Sequence, residues 1–545
     1  MRKDATMSVT RAMNPPAVLD AAPSGDIEGA LGTIRQHDVA ARCGWRRRVM
    51  TLLAILGPGL IVMVGDNDAG AFATYAQAGQ DHGTALLWTL LLLVPVLYVN
   101  QEMVLRLGAV SGVGHARLIL ERFGRFWGAF SVIDLLLLNA LTIVTEFIGI
   151  SLALDYLGVS RLAGVTIAAA LTVLAASTGS FRRFERFALT LCAGTLLLVP
   201  IFLLAHPPLG VLARDFAIPR WPAGNPADVM LLVIGIVGTT VAPWQMFFQQ
   251  SYVIDKRITP RFLNYERADL WIGIVVVVLG AAAMMAFCAA AFSGTPEAGQ
   301  FSDVRGVAAG LGRHVGHGAG VLFALALIDA SVIGAAAVSL ASAYAIGDVL
   351  SLGHSLHRRP AEAVGFHVVY AGLIAAAAAL VLMPGAPLGL ITAAVQTLAG
   401  VLLPSASVFL LLLCNDPAVL GPWVNGRWLN LFTGAVVAVL VLLSLVLTAA
   451  VLFPAIGGGA FAWTLGLGLA ASAPLACIAL RRRRTERPAA EPAERATWRM
   501  PPLPTLPPAV LSPGARLGLL VLRAYLIGAC LLVALRVAQL ALGKG

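Results

Sequence analysis

The sequence predicts an all-α polytopic membrane protein built from two inverted five-helix repeats, with additional C-terminal helices. Only 12% of its 545 residues are charged and 59% are hydrophobic, whereas soluble domains are about 25% charged. The chain also contains a series of apolar runs of about 20 residues, the length that crosses a bilayer. The first and sixth runs are interrupted by polar residues, which divides the first ten spans into two halves of five.

The apolar runs define the expected spans and the domains that contain them. We expect spans at 50–78, 84–106, 127–157, 162–179, 187–206, 228–253, 268–293, 319–350, 365–383, 387–414, 429–453, 459–480 and 515–541. The first ten form a ten-helix core over 46–414, with one repeat at 46–206 and the other at 228–414. Residues 415–480 supply two additional transmembrane helices.

Three further segments differ in composition from the first twelve spans. Residues 1–45 are polar and lack an apolar core, so we expect a disordered cytoplasmic tail and not a signal peptide. Residues 481–512 are rich in Pro and Arg and predict a cytoplasmic linker. Residues 513–545 form a terminal apolar helix with three arginines, which we expect to span; the alternative is a surface helix.

The basic residues of the loops predict the orientation. With the N-terminus in the cytoplasm, the outer loops receive five arginines and the inner loops receive many more, which is the positive-inside pattern. This pattern explains the net charge of +10 without a nucleic-acid partner. The arginine-rich loops are typical of bacterial membrane proteins, so we expect a plasma (inner) membrane. The inner basic residues are Arg46, Arg47, Arg48, Arg117, Arg122, Arg125, Arg182, Arg183, Arg186, Lys256, Arg257, Arg261, Arg267, Arg358, Arg359 and Arg481 to Arg484.

The interruption of the first span carries two carboxylates. Asp66, Asn67 and Asp68 lie in the middle of the apolar stretch 57–79, which also contains helix-breaking glycines. Unpaired carboxylates at bilayer depth cost several kcal/mol each, so their presence indicates a function. A broken helix with carboxylates at mid-membrane is a way to build a cation site. The alternative is a kinked span whose acids pair with arginines elsewhere.

A second interruption occurs in the sixth span. Gly235, Gly238 and Pro243 break the helix, and Thr239 and Gln245 are among the polar residues around the break. Matching breaks in corresponding positions of two halves point to a binding site between inverted repeats. The alternative is that the two kinked helices are unrelated.

The residues at these breaks resemble the NRAMP family of divalent-metal transporters, which have the LeuT-like fold. Asp68–Thr74 is similar to the family's Asp-Pro-Gly-Asn-Phe-Ala-Thr, and Gln101–Gly108 and Glu146–Gly149 resemble motifs of its second and third helices. Ala242–Gln245 stands where the family has Met-Pro-His-Asn. Gln396 precedes Pro404 by eight residues, as the family's site glutamine precedes its proline.

The resemblance implies a set of metal ligands and shows two departures from it. Asp68 and Gln396 match the family's site aspartate and glutamine, and the carbonyl ligand of helix six falls at Thr239. The family's asparagine is replaced by Ala71 and its methionine by Ala242. The chain therefore lacks the soft thioether ligand of the family's site.

The missing thioether favours a hard cation. Oxygen ligands suit Mg²⁺ and Mn²⁺, and two shortened side chains leave room for the waters that Mg²⁺ retains. Asp66 and Asn67 are extra oxygen donors nearby, and Gln245 is placed to contact the water shell. This pattern resembles the NRAMP-related magnesium transporters, so we expect Mg²⁺, and Mn²⁺, as transported substrate. We expect no cofactor and no enzymatic activity.

Proton coupling is also expected to differ from that of the family. The positions of the family's proton-path aspartate and of its second helix-six histidine correspond to Ile143 and Gln249, neither of which titrates. Since proton relays need ionisable groups, we expect uptake without protons. The alternatives are a proton-coupled Mn²⁺/Fe²⁺ importer of NRAMP type or, with less support, another LeuT-fold solute carrier.

Overall fold

A computed structural model describes residues 25–38, 40, 42–222, 224–384, 406–452, 492–509, 511 and 513–541. Two short strands, β1 at Ile27–Gly29 and β2 at Gly32–Ile34, precede the helices. The helices are α1 Trp45–Ile55, α2 Pro58–Val64, α3 Ala69–His82, α4 Leu87–Ser111, α5 His115–Phe123, α6 Arg125–Leu157, α7 Arg161–Ala176, α8 Phe181–Gly194, α9 Leu198–Ala205, α10 Leu209–Ala217, α11 Pro226–Thr240, α12 Pro243–Asp255, α13 Leu263–Phe292, α14 Val304–His314, α15 His317–Leu350, α16 Val364–Leu382, α17 Ala406–Leu413, α18 Pro417–Leu420, α19 Arg427–Leu452, α20 Pro492–Thr497 and α21 Pro513–Ala541.

The helices agree with the predicted class of membrane protein. Within the described residues, 8 helices are long and apolar enough to cross a membrane, or up to 10 when each of two bent pairs is taken as one span. Helix α21 forms where the terminal apolar helix was expected, and its crossing of the membrane stays a prediction. Most of the tenth expected span and all of 459–480 lie outside the described residues.

The N-terminal segment contains a β-hairpin. Strands β1 and β2 pair antiparallel, with Ile27 opposite Ile34, and both of these side chains are buried against the helices. The expectation that residues 1–45 are disordered is therefore wrong for residues 25–38. The two isoleucines are buried because α1 and α8 pack against the hairpin. The sequence of the hairpin itself does not reveal these contacts with distant helices.

The first span is divided twice. Helix α2 ends at Val64 and α3 begins at Ala69, so the break falls at the residues predicted to interrupt the span. A further bend of 52° separates α1 from α2. It occurs at Gly57, whose φ of 155° favours glycine and whose Cβ, if present, would lie 2.2 Å from Glu185 Oε1.

The sixth span breaks at Val241 and Ala242, between α11 and α12. Pro243 occupies the first turn of α12, where its missing N–H is tolerated. The same missing N–H leaves the carbonyl of Thr239 without the donor that would continue α11. The break therefore exposes a backbone oxygen.

The remaining long helices enclose the two broken spans. Helix α13 packs along α2 and α3, and α15 packs along α6 and α12. Gly334 allows α15 to approach α6 and the start of α3 closely, because a Cβ at Gly334 would lie 2.9 Å from Glu146 Cδ and 3.1 Å from Asp68 Cβ. The first-span break is therefore held between α6, α13 and α15.

Candidate functional site

The two helix breaks meet in the interior of the bundle. The Tyr75 hydroxyl of α3 lies 2.9 Å from the Thr240 hydroxyl of α11, and Thr74 Oγ1 lies 3.4 Å from Thr239 Oγ1. Gln245, in the first turn of α12, donates a hydrogen bond from Nε2 to Asp66 Oδ1. Residues from the first and sixth spans therefore share one polar centre, which we call the break site.

Asp66 lies at the middle of the break site and is 1% exposed. Its Oδ1 accepts from Gln245, whereas its Oδ2 has no hydrogen-bond partner among the described residues. Gln245 is itself oriented by Gln101 of α4, whose Nε2 donates to Gln245 Oε1 over 2.7 Å. This chain of amides keeps one carboxylate oxygen free to bind a cation.

Asp68 is the N-cap of α3. Its Oδ1 accepts from the backbone N–H of Ala71 at 2.9 Å, as expected for an aspartate before a helix. The neighbouring N–H, that of Ala69, donates to Glu146 Oε2 of α6 at 3.1 Å. The N-terminus of α3 thus faces two carboxylates, which its dipole stabilises. Glu146 is fully buried, and its Oε1 has no partner in the described part of the chain.

Asn67 connects the break in the first span to α13 by a hydrogen bond. Its Nδ2 donates to the carbonyl of Val277 at 3.1 Å, and Gly280 leaves room for the amide, since a Cβ there would lie 2.7 Å from Nδ2. Its Oδ1 is buried and has no partner among residues of the described ranges. The amide oxygen is therefore available as a further ligand.

The small residues and the carbonyl predicted for the site lie at the same breaks. Ala71 is fully buried in the first turn of α3. Ala242 precedes α12 with extended backbone, and its carbonyl accepts from the backbone N–H of Gln245 at 3.3 Å. Thr239 contributes the carbonyl that Pro243 leaves without a helical donor. Gln396, the remaining predicted ligand, lies outside the described residues.

The acidic side chains of the break site lack basic partners in the described part of the chain. Within the described ranges, neither Asp66 nor Asp68 forms an ion pair, so the alternative of acids neutralised by arginines has no support there. The same ranges contain no cluster of three or more His, Cys, Asp or Glu side chains that could hold a metal ion. A cation at the break site would therefore combine carboxylate oxygens with amide and carbonyl oxygens, a donor set that suits hard cations.

Some residues of the site were not assigned a role from the sequence. Gln101 orients Gln245, and Tyr75 joins α3 to α11. Asn100, beside Gln101, is buried with neither amide atom hydrogen-bonded in the described chain. Three successive polar residues at 100–102 inside an apolar run were the available signal.

These features define an integral membrane protein of LeuT-like fold, with a buried polar site between two broken helices. The chain belongs to the Nramp family, because the family model described as natural resistance-associated macrophage protein-like matches residues 59–479. The predicted fold class and the resemblance to this family are thereby confirmed.

Named relatives and solved structures agree with this membership. The chain is 30% identical over 392 residues to the divalent metal cation transporter MntH of Ralstonia nicotianae, covering 69% of this chain and 86% of that protein. It is 29% identical over 468 residues to MntH of Xylella fastidiosa strain 9a5c, covering 82% and 95%. The structure of the Eremococcus coleocola manganese transporter with a bound bis-isothiourea compound matches with a TM-score of 0.62 at 18% identity, covering 84% of this chain and 98% of that one. This structural likeness concerns the fold.

Proposed function

We propose that the chain is a divalent metal cation transporter that exposes the break site alternately to the two sides of a membrane. The observation that carries the proposal is the pair of buried aspartates at the first-span break, which have no cationic partner among the described residues. The relatives named above are divalent metal cation transporters, which supports the same class of substrate.

Within this class we propose Mg²⁺ as the main substrate, with Mn²⁺ as a second one. The support is the donor set, because Asp66, Asn67 and Asp68 offer oxygen while Ala71 and Ala242 offer no side-chain ligand. Mg²⁺ binds through few protein oxygens and keeps several waters. A site without sulfur removes the preference for transition metals that a thioether gives.

We further propose that transport is not coupled to protons. Gln249 is buried on α12 with neither amide atom hydrogen-bonded within the described ranges, and Ile143 is a buried aliphatic residue of α6. Neither side chain can carry a proton along the path expected for the family. Membrane potential and concentration then supply the driving force.

A proton-coupled Mn²⁺ or Fe²⁺ importer is the second candidate, and Glu146 favours it. This carboxyl is buried beside Asp68, and its Oε1 has no partner in the described chain. A carboxyl in that position is able to exchange a proton when a metal ion binds to its neighbour. The two candidates therefore differ in proton flux.

The proposed location is the plasma membrane, with the N-terminus in the cytoplasm. The hairpin of residues 25–38 contacts Arg182, Arg186, Arg257 and Arg261, so basic residues from both halves lie at the end of the bundle where the N-terminal segment lies. Clustered arginines on one face support a cytoplasmic position for that face by the positive-inside rule.

The test is metal flux into proteoliposomes that contain the purified protein. Internal dyes follow Mn²⁺ entry and pH while external Mg²⁺ is titrated. Competition by millimolar Mg²⁺ with constant internal pH is expected. Mn²⁺ entry that acidifies the interior and is insensitive to Mg²⁺ would instead establish the proton-coupled candidate.

The variant that tests the site is Asp68→Ala, and the chain offers a matched control. Asp303 caps α14 as Asp68 caps α3, with its Oδ1 accepting from Gly306 N at 2.7 Å. Either substitution removes a cap worth about 1 kcal/mol. We expect Asp68→Ala to abolish metal flux and Asp303→Ala to retain it; equal flux in the two variants would contradict the assigned site.

A further inference from the structure

The β-hairpin lies across the joint between α1 and α2. Gly32 lets β2 approach α1 closely, because a Cβ there would lie 3.0 Å from Ala54 Cβ. At the turn of the hairpin, the Ala30 N–H donates to Glu185 Oε2 of α8 at 2.6 Å, and Arg186 Nε donates to the Ala30 carbonyl at 3.1 Å. The hairpin therefore bridges α1 and α8.

Basic residues of the second half hold the same segment. Arg257 Nη1 donates to the carbonyl of Asp26 at 2.9 Å, and Arg261 Nη1 donates to the carbonyl of Asp38 at 2.6 Å. Both arginines follow α12, the second part of the broken sixth span. Residues 25–38 thus connect the first part of the first span to helices of both repeats.

A fully buried ion pair lies beneath the hairpin. Lys256 Nζ contacts Glu185 Oε1 at 2.6 Å, and both side chains are 0% exposed. The same Nζ donates to the carbonyls of Ile55 at 2.6 Å and Leu56 at 2.9 Å, which end α1. Lys256 therefore fixes the C-terminus of α1 to α8 and to the end of α12.

The other side of the joint is fixed by Asp269 of α13. Its Oδ2 accepts from the Gly59 N–H at 2.7 Å and its Oδ1 from the Leu60 N–H at 3.3 Å, so it satisfies the first turn of α2. The joint at Gly57 is therefore held by Glu185 of α8, by Lys256 after the end of α12 and by Asp269 of α13. Movement of α1 and α2 requires these contacts to separate.

A polar stripe on α12 connects this joint with the break site. The stripe consists of Gln245, Gln249 and Tyr252 of α12 and of Lys256, which directly follows the helix. Their spacing of four, three and four residues places them on one helical face about 16 Å long. All four are buried, and the Gln249 amide and the Tyr252 hydroxyl have no partner within the described chain. The Lys256–Glu185 ion pair thus lies at the end of this stripe that is farther from the break site.

We propose that this stripe lines the route by which a transported cation leaves the break site. In this proposal residues 25–38 are an intramolecular strap that holds the route closed, and Lys256 and Glu185 are the gate residues that the strap covers. The inference rests on the proposed function, since a transported cation must leave the break site toward one face. Separating a buried ion pair is unfavourable unless both charges become hydrated together. The strap adds backbone and arginine contacts that must also open, so it biases the protein toward the closed state.

Crosslinking tests whether the strap must open during transport. In a protein without native cysteines, Gly32→Cys with Ala54→Cys allows a disulfide between hairpin and α1, because the Cβ separation lies within about 1 Å of disulfide geometry. Thr33→Cys with Arg182→Cys, a pair in side-chain contact, is bridged by a short bismaleimide and ties the hairpin to α8. With both ties we expect at least tenfold slower Mn²⁺ influx. Reduction opens the disulfide alone and is expected to restore influx.

Two outcomes of the crosslinking decide the proposal. The four-cysteine protein must transport before crosslinking, which controls for folding. Unchanged influx in the doubly tied protein would overturn the strap. Slower influx in the doubly tied protein that reduction of the disulfide restores would support it.

A labelling experiment measures how often the gate opens without measuring metal flux. Gln249→Cys places a thiol on the polar stripe, and a membrane-impermeant maleimide is applied from the hairpin face. Deletion of residues 1–38 is expected to raise its labelling rate about tenfold over deletion of residues 1–24, which retains the hairpin. If truncation impairs folding, Arg261→Ala removes the bonds to the Asp38 and Ala40 carbonyls and is expected to act in the same direction.

The labelling result separates the two proposals. Equal labelling of the long and short truncations, and of Arg261→Ala and the parent, would overturn the strap. Faster labelling without metal flux in the parent protein would support the strap while contradicting the proposed function.

Discussion

At the scale of single residues, the break site combines free oxygen atoms with groups that orient them. Asp66 and Asn67 each use one polar atom to bind the protein and leave one oxygen without a partner in the described chain. Such an arrangement fixes the side chains before a cation arrives, which reduces the entropy lost on binding. In the proposed metal site, the absence of a sulfur ligand at Ala242 favours hard cations.

Ala242→Met tests this selectivity directly. The substitution places a thioether at the second break, so we expect Mn²⁺ and Cd²⁺ to gain about tenfold over Mg²⁺, or about 1.4 kcal/mol. Competition of each metal for Mn²⁺ influx measures the change. Ala242→Leu has a similar volume without sulfur and is expected to leave the order of metals unchanged; the same shift in both variants would show that size, not sulfur, is responsible.

At the scale of elements, close packing of α15 on α3 and α6 determines where the carboxylates lie. A Cβ at Gly334 would press on Glu146 and Asp68, both of which have little freedom. We expect Gly334→Ala to lower the free energy of unfolding by about 1–3 kcal/mol and to reduce metal flux. Thermal unfolding in detergent measures the first effect.

The matched control for this packing is Gly372→Ala. Gly372 lies inside α16, and nothing approaches the position of its Cβ within 4 Å. Alanine there is expected to be neutral or to stabilise by up to about 1 kcal/mol, because alanine is the better helix former. Equal destabilisation by both variants would mean that the glycine at 334 has no packing role.

The end of α15 carries a pH-sensitive contact. Burial alone would lower the pKa of His354, but the hydrogen bond and charge of Asp348, the Leu352 carbonyl and the charge of Asp255 outweigh it and raise that pKa to about 9. His354 Nε2 lies 3.1 Å from Asp348 Oδ1. Because the folded-state pKa exceeds the usual value of about 6.5, the contact stabilises the protein fully below pH 6.5 and is lost as pH rises through 9.

The size of this pH effect is measurable by substitution. We expect the parent protein to lose on the order of 2–3 kcal/mol of stability between pH 6.5 and 10 relative to His354→Gln. Unfolding midpoints of the two proteins across that range provide the measurement. Parallel pH profiles would show that His354 does not titrate as the contact requires.

The elements also show which features a sequence reveals. Both helix breaks were predicted correctly, because Gly65, Pro243 and the polar residues beside them act locally. The bend at Gly57 was not predicted, because Lys256 and Asp269, about 200 residues away, cap the two helix ends that meet there. The hairpin was missed for the same reason, since its buried surface is supplied by distant helices.

At the scale of the whole molecule, two broken spans from opposite halves form one polar, acidic centre inside an apolar bundle. The sequence was sufficient to place Asp66, Asn67, Asp68 and Gln245 there, because intramembrane polar residues are rare and stand out. It did not reveal that Gln101 orients Gln245, since that contact joins different helices. The predicted ligand Gln396 stays a prediction.

The net charge carried per cycle is the last property that this architecture predicts. If the break site moves a divalent cation without counter-transport of protons, each cycle carries two charges across the membrane. A potential of −100 mV then supplies about 4.6 kcal/mol, enough to support about 10³-fold accumulation. We expect Mg²⁺ or Mn²⁺ influx into proteoliposomes to rise with an imposed negative-inside potassium potential and to be unchanged between external pH 6 and 8. Asp68→Ala liposomes provide the background. Influx that increases as the external pH falls from 8 to 6 would show co-transport with protons, and Glu146 would then be the carboxyl to substitute next.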